Sequence, residues 1–167
     1  PYTHYVYLND KKIYINKEKD VFFQFEIYED KLFVLGPPIG NKDNLLNAID
    51  EFYNMADSYG YTPIFCAVDN STIPHLHSIG YHFIKVGEDS SVDLENFTLE
   101  GRKMKSVRNA ISRVEKEGYS FEIVNPPFSD SFLDELKSIS DKWLGNRKEL
   151  NFTVGKFDKK YLEYSPI

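Results

Sequence analysis

Cysteine is almost absent: Cys66 stands alone among 167 residues. One thiol makes no internal disulfide framework and no cysteine-based zinc site. Tryptophan is equally scarce, with Trp143 as its one occurrence. Long apolar runs are missing. The longest, such as residues 64–68, fall far short of the ~20 residues a membrane-spanning helix needs. Residues 1–7 have neither a basic region nor an apolar core, so no signal peptide is read there. Catalytic signatures are also lacking. No Gly-x-Ser-x-Gly elbow occurs, and Cys66 sits among apolar residues as a small hydrophobe. What remains is enough for a packed core: 41% hydrophobic and 16% aromatic residues exclude a disordered chain. The length suits one domain, or one with part of another. The chain has no initiator Met and stops at Ser165-Pro166-Ile167, so it is expected to be a piece of a longer protein.

Charge is present but unevenly placed. Twenty Lys and Arg face 26 Asp and Glu, a formal net charge of −6. Spread evenly, that charge would argue against nucleic acid or anionic lipid as partners. Residues 1–99, however, hold 7 basic and 15 acidic residues, and residues 119–167 hold 7 and 8. Between them, Arg102, Lys103, Lys105, Arg108, Arg113 and Lys116 oppose only Glu100, Glu115 and Glu117. A short basic island thus interrupts an acidic chain, and local potential governs binding more than the total does.

The hydrophobic pattern predicts an α/β (α+β) domain with helices beside a mixed sheet. Short β-prone runs at 5–8 and 13–15 flank an Asn9-Asp10-Lys11 turn. Residues 21–28 and 32–35 read as strands, the second stopped by Gly36-Pro37-Pro38. Residues 41–59 read as a helix with Leu45, Ile49, Phe52 and Ala56 on one face and Gly60 beyond its end. A continuous apolar strand follows at 62–68, a short helix at 74–79, and strands at 81–86 and 91–94. A long helix is predicted at 97–118, with Met104, Val107, Ile111 and Val114 as its buried stripe. A strand at 119–124 precedes a helix at 132–144, capped by Ser129, with Leu133, Leu136, Ile139 and Trp143 facing inward.

Each candidate site has a plain structural reading beside the functional one. The six cations at 102–116 recur three and four apart, so they can follow phosphates along a nucleic acid or meet anionic head groups. They equally suit a solvated helix face paired with Glu115 and Glu117. The turn at 35–40 resembles an anion-binding loop, but its two prolines remove donors and no Lys-Ser/Thr follows. His75 and His77 lie two apart on a short helix and point different ways, so no metal site is assigned to them or to His82. Arg147, Lys148 and Glu149 stand among Trp143, Phe152, Gly155 and Phe157. This stretch reads as the lining of a cleft or as a helix end packed on a loop. No catalytic constellation is assembled, and no metal or cofactor is called for.

Taken together, several segments resemble one family. They are THYVYLNDKK at 3–12, the 35–40 turn, Gly87-Glu88 with Val92-Asp93-Leu94, and LEGRKMKSVRNA at 99–110. The series continues with Glu117-Gly118-Tyr119, ISDKWL at 139–144, KELNF at 148–152, Gly155-Lys156-Phe157-Asp158 and Tyr161-Leu162. Their order and spacing are similar to the catalytic domain of the multiple peptide resistance factor, the aminoacyl-phosphatidylglycerol synthases. The resemblance runs over essentially the whole chain.

The resemblance implies a transferase that moves lysine or alanine from aminoacyl-tRNA to phosphatidylglycerol, lowering membrane charge and giving resistance to cationic peptides. It implies tandem acetyltransferase-like (GNAT) folds joined by a basic helix. Residues 1–96 would be the first fold, 97–118 the linker helix and 119–167 the truncated start of the second. The six cations would bind tRNA or lipid phosphates, and Arg147, Lys148 and Glu149 would approach the cleft. Aminoacyl-tRNA and phosphatidylglycerol are the implied partners, and the cytoplasmic face of the membrane is the implied place. Two departures stand out: Gly36-Pro37-Pro38 replaces the family's frequent Gly-Asp-Pro, and the second fold stops at Ile167. The chain is therefore expected to be inactive alone. The other readings are a non-catalytic tRNA- or lipid-binding module and an acetyl-CoA acetyltransferase. The second lacks the Arg/Gln-x-x-Gly-x-Gly/Ala turn that cradles the CoA pyrophosphate.

Overall fold

The computed structural model describes residues 2–150, 152–153 and 155–167. They form two compact units: residues up to 82 together with 126–165, and residues 83–125 together with 166–167.

The first unit is built on a mixed sheet. Strands β1 (Lys12–Ile15), β2 (Val21–Tyr28), β3 (Lys31–Leu35) and β5 (Thr62–Cys66) lie side by side in that order, and β4 (Ile39–Gly40) pairs with the start of β2. All pairs are antiparallel except β3 with β5, where Phe33 stands beside Ile64. A parallel pair needs a crossover, and α1 (Leu45–Ser58) supplies it. Its face of Ala48, Ile49, Phe52 and Ala56 is fully buried against Phe23, Phe25, Leu32 and Val34. Phe52 is the hub. It stacks on Phe23 with centroids 4.7 Å apart and meets Tyr14, Phe25 and Phe65 edge-on, geometries that suit the ring quadrupole. Helix α2 (Ile73–Ser78) adds Leu76 to this core.

The opposite face of the sheet is covered by a 3-10 turn, Tyr2–Leu8. Gln24, buried at mid-strand, donates to the Tyr2 carbonyl at 2.6 Å. The turn presses on Gly36, where a Cβ would lie 2.9 Å from Tyr2 Cβ. Gly40 is tighter still: a Cβ there would meet the Asp20 carbonyl oxygen at 2.0 Å. No side chain fits that approach.

A polar knot joins the β1–β2 turn to the start of α1. Asn16 is buried and accepts the N–H groups of Asp20 and Val21 at 3.0 and 2.9 Å. Asp20 in turn accepts from the side chains of Asn16, Asn41 and Asn44. These bonds hold its carboxyl below the usual aspartate range.

The same unit contains α4 (Asp130–Leu144) and the short α5 (Lys159–Leu162). The ring of Tyr7 stacks on Tyr164, with centroids 4.2 Å apart, and His4 packs on Tyr161. The second unit has one α-helix among its described residues, α3 (Lys105–Lys116), entered through the 3-10 turn Arg102–Met104. In that unit Val124 and Ile167 exchange both backbone hydrogen bonds, at 2.7 and 2.9 Å.

Several expectations are corrected. Residues 5–8 form part of a 3-10 turn rather than a strand, because their rings pack on neighbouring rings instead of pairing backbone. The expected strands at 81–86, 91–94 and 119–124 are not strands of the sheet, the last pairing only through Val124 with Ile167, and Ile84, Val86 and Phe121 are 85%, 93% and 90% exposed. Strand propensity expresses packing against a neighbour and does little without one. The long basic helix is shorter than 97–118, since Gly101 at φ +81° breaks the backbone before it. Its stripe of Val107, Ile111 and Val114 is exposed rather than buried, because no sheet underlies it in its own unit. In α4, Leu133 is buried as expected, but Ile139 and Trp143 are exposed.

Candidate functional site

The end of α4 organises one candidate site. Ser129 caps the helix start by accepting the Phe132 N–H, and Gly145 at φ +57° ends it. Arg147 then folds back. Its Nε donates to the Leu144 carbonyl at 3.1 Å, a second nitrogen donates to the Trp143 carbonyl, and its guanidinium lies 4.3 Å from the Trp143 ring centroid. It therefore satisfies terminal helix carbonyls and covers an aromatic face at once. Glu149 accepts the Phe157 N–H at 2.8 Å, tying the following loop back on itself. Asp158 caps α5 by accepting the Tyr161 N–H at 3.0 Å, and Lys159 reaches Asp134 on α4 at 2.6 Å.

These ties surround a cavity of about 570 Å³. Its apolar walls come from Trp143, Leu144, Phe157, Tyr161, Leu162 and, from the N-terminal turn, Tyr5. Tyr5 is held by Lys11, whose side chain is only 2% exposed. The Lys11 ammonium lies 2.8 Å from Asp10 and 5.6 Å from the Tyr5 ring centroid. Burial pushes the Tyr161 phenol up, with Tyr5 adding to the effect. The charged lining is Arg147, Lys148, Glu149 and Lys156. Arg147 and Glu149 are engaged as described. Lys148 and Lys156 have no ion-pair or hydrogen-bond partner among the described residues.

The basic island forms a second candidate, in the other unit. On α3, Asn109, Ser112, Arg113 and Lys116 line a shallow polar cleft of about 390 Å³, with Glu117 at its edge. The spacing of three and four puts them on one side, away from Val107, Ile111 and Val114. Arg108 is employed differently: its Nη1 donates to the carbonyls of Leu99 and Gly101. Arg102 and Lys103 lie in the 3-10 turn, and Lys105 opens α3.

The remaining candidates resolve structurally. His75 Nε2 sits 2.8 Å from Asp50. Cys66 ends β5, where burial raises its thiol. Among the described residues, no group of three or more His, Cys, Asp or Glu could hold a metal ion. No helix of the described residues is long and apolar enough to cross a membrane.

A family model described as "Phosphatidylglycerol lysyltransferase, C-terminal" matches residues 1–167. The chain belongs to this family. It is 38% identical over 165 residues to the phosphatidylglycerol lysyltransferase of Staphylococcus xylosus, covering 99% of this chain and 20% of that protein. It is 39% identical to the Bacillus subtilis phosphatidylglycerol lysyltransferase, covering 99% of this chain and 19% of that one. The solved structure of L-PGS from Bacillus licheniformis superposes with a TM-score of 0.93 at 39% identity, over 99% of this chain and 52% of that one. The chain thus spans about one fifth of the length of these curated relatives.

For a phosphatidylglycerol lysyltransferase C-terminal segment, the cavity was only partly visible in sequence. The cluster at 143–157 was evident as aromatics beside mixed charges. Tyr5 and Lys11 were not, because they lie over 130 residues away, Tyr5 in a run that reads as a strand and Lys11 in the turn after it.

Proposed function

We propose that this chain is part of an aminoacyl-tRNA-dependent transferase that moves lysine or alanine to phosphatidylglycerol. The observation that carries the reading is the family match over all 167 residues. The chemistry asks for little beyond positioning. The aminoacyl ester is already activated. A glycerol hydroxyl of the lipid attacks its carbonyl carbon, the bond to the ribose oxygen breaks, and the hydroxyl proton ends on that oxygen. Holding the two reactants together and stabilising the oxyanion supply the rate.

In this reading α3 presents Arg113 and Lys116, supported by Asn109 and Ser112, to phosphates of tRNA or lipid. The cavity around Arg147, Lys148 and Glu149 borders the reacting end. The order of a first acetyltransferase-like fold (1–96), a basic linker helix (97–118) and the opening of a second fold (119–167) belongs to the same proposal. So do work at the cytoplasmic face of the membrane and the chain's inactivity alone.

Gel-shift titration with lysyl-tRNA tests it. Binding should weaken steeply with salt and be lost in Arg113→Glu with Lys116→Glu. Unchanged binding of that variant at low salt would remove α3 from the site. Labelled aminoacyl-lipid made by the isolated chain would refute its dependence on further sequence.

A further inference from the structure

We infer that Lys11 is a positioning residue for the transfer, fixing through Tyr5 and Phe152 the wall and the loop that shape the cavity at the end of α4. This rests on the transferase reading above and names a residue outside the cavity lining on which that site depends. Lys11 stands immediately before β1 with its side chain almost wholly buried beside Asp10. Its ammonium lies 5.6 Å from the Tyr5 ring centroid and 5.9 Å from that of Phe152. One charge thus draws two rings toward a single point, an attraction that strengthens where water is excluded. The rings belong to segments far apart in sequence. Tyr5 is in the N-terminal 3-10 turn and lines the cavity. Phe152 lies in the loop between α4 and α5 and meets Phe33 of β3 edge-on, with centroids 6.5 Å apart. The same loop comes onto Tyr5 at Gly155, where φ is +69° and a Cβ would lie 3.4 Å from Tyr5 Cε1. Glu149 and Phe157, whose hydrogen bond closes the loop on itself, bracket both contacts in sequence.

Stability alone does not account for a charge at this place. A buried ammonium forfeits hydration, and an apolar side chain of the same length would fill the space without that cost. An apolar filler lacks a centre of attraction for both rings. It lets Tyr5 and Phe152 slide against each other, and the cavity wall and the 149–157 loop move with them. A transfer that depends on holding two reactants in register loses large factors in rate to small displacements. Turnover, rather than folding, should therefore register the loss of the Lys11 charge.

The test removes the charge in balance, by Lys11→Met with Asp10→Asn. In the 167-residue chain, amide exchange at Phe157 should quicken about tenfold or more while Ile49 and Phe52 of α1 keep their rates. The melting midpoint should stay within about 4 °C. Turnover is read in the Bacillus subtilis phosphatidylglycerol lysyltransferase with this chain in place of its matched 165 residues. There kcat for labelled aminoacyl-phosphatidylglycerol should fall about tenfold or more, with KM for the aminoacyl-tRNA changed less than about twofold. Tyr5→Leu should reproduce the loss, and adding it to the Lys11 variant should cost less than about twofold more, as befits residues that act through each other. The assignment is overturned by a melting midpoint lowered beyond that range, by unchanged Phe157 exchange, by an effect confined to KM, or by Tyr5 and Lys11 losses that multiply. An active chimera whose kcat the Lys11 variant leaves unmoved also overturns it, while the transferase reading stands. An unaltered chimera that reaches the membrane intact and makes no labelled lipid removes that reading, and exchange at Phe157 then decides alone whether Lys11 fixes the loop.

Discussion

At the scale of single residues, polar side chains hold the turns on which the fold depends. Asn16 is 2% exposed and makes hydrogen bonds to the N–H groups of Asp20 and Val21 and to the carboxylates of Glu18 and Asp20. Asn16→Ala would leave the buried Val21 N–H and the part-buried Asp20 N–H without their acceptor and should cost roughly 2–3 kcal/mol in urea unfolding. Asp20 gives the same knot a pH dependence. Its carboxyl is held low by Asn16, then Asn44 and Asn41. A lowered folded value favours the native state above the ordinary aspartate range of about 4. That contribution is lost as pH falls through the folded value. Stability should therefore drop on acidification below about pH 4, and Asn16→Ala should flatten that acid limb. An unchanged acid limb in Asn16→Ala would contradict the assignment.

At the scale of elements, α1 and α3 make opposite cases. The period of Leu45, Ile49, Phe52 and Ala56 was legible because a sheet lies under it, and the face is buried as that period requires. Phe52→Ala removes the ring against which four others pack and should destabilise the first unit by roughly 3–5 kcal/mol. Thermal or urea unfolding reads this directly. In α3 the polar face was legible, but the role of each cation was not. Nothing in the spacing of Arg108 reveals that it bonds the carbonyls of Leu99 and Gly101. Arg108→Ala should loosen the entry to α3, seen as faster amide exchange at residues 99–105, with little change in the salt dependence of tRNA binding. Arg113→Ala and Lys116→Ala should each lower that salt slope by about one and leave exchange unchanged. Strands expected at 81–86 and 119–124 failed for a related reason. Both runs are rich in aromatic and β-branched residues, but a ladder needs a neighbour as well as a propensity.

At the scale of the whole chain, the net charge of −6 conceals two positively lined surfaces, each within its own compact unit. The family was readable from motif order. The cavity was not, because it joins Tyr5 to residues 140–162 and depends on ties such as Glu149 to Phe157. Such closures come from tertiary contact, which local periodicity does not encode. Function is most directly tested by exchange into a relative. The matched 165 residues of the Bacillus subtilis phosphatidylglycerol lysyltransferase are replaced by this chain, and membranes carrying the chimera are supplied with radiolabelled lysyl-tRNA or alanyl-tRNA. Labelled aminoacyl-phosphatidylglycerol is the expected product from at least one of them, strongly reduced when Arg113→Glu and Lys116→Glu are introduced. A chimera that reaches the membrane intact yet forms no labelled lipid from either donor, beside an active unexchanged relative, would contradict the proposed function.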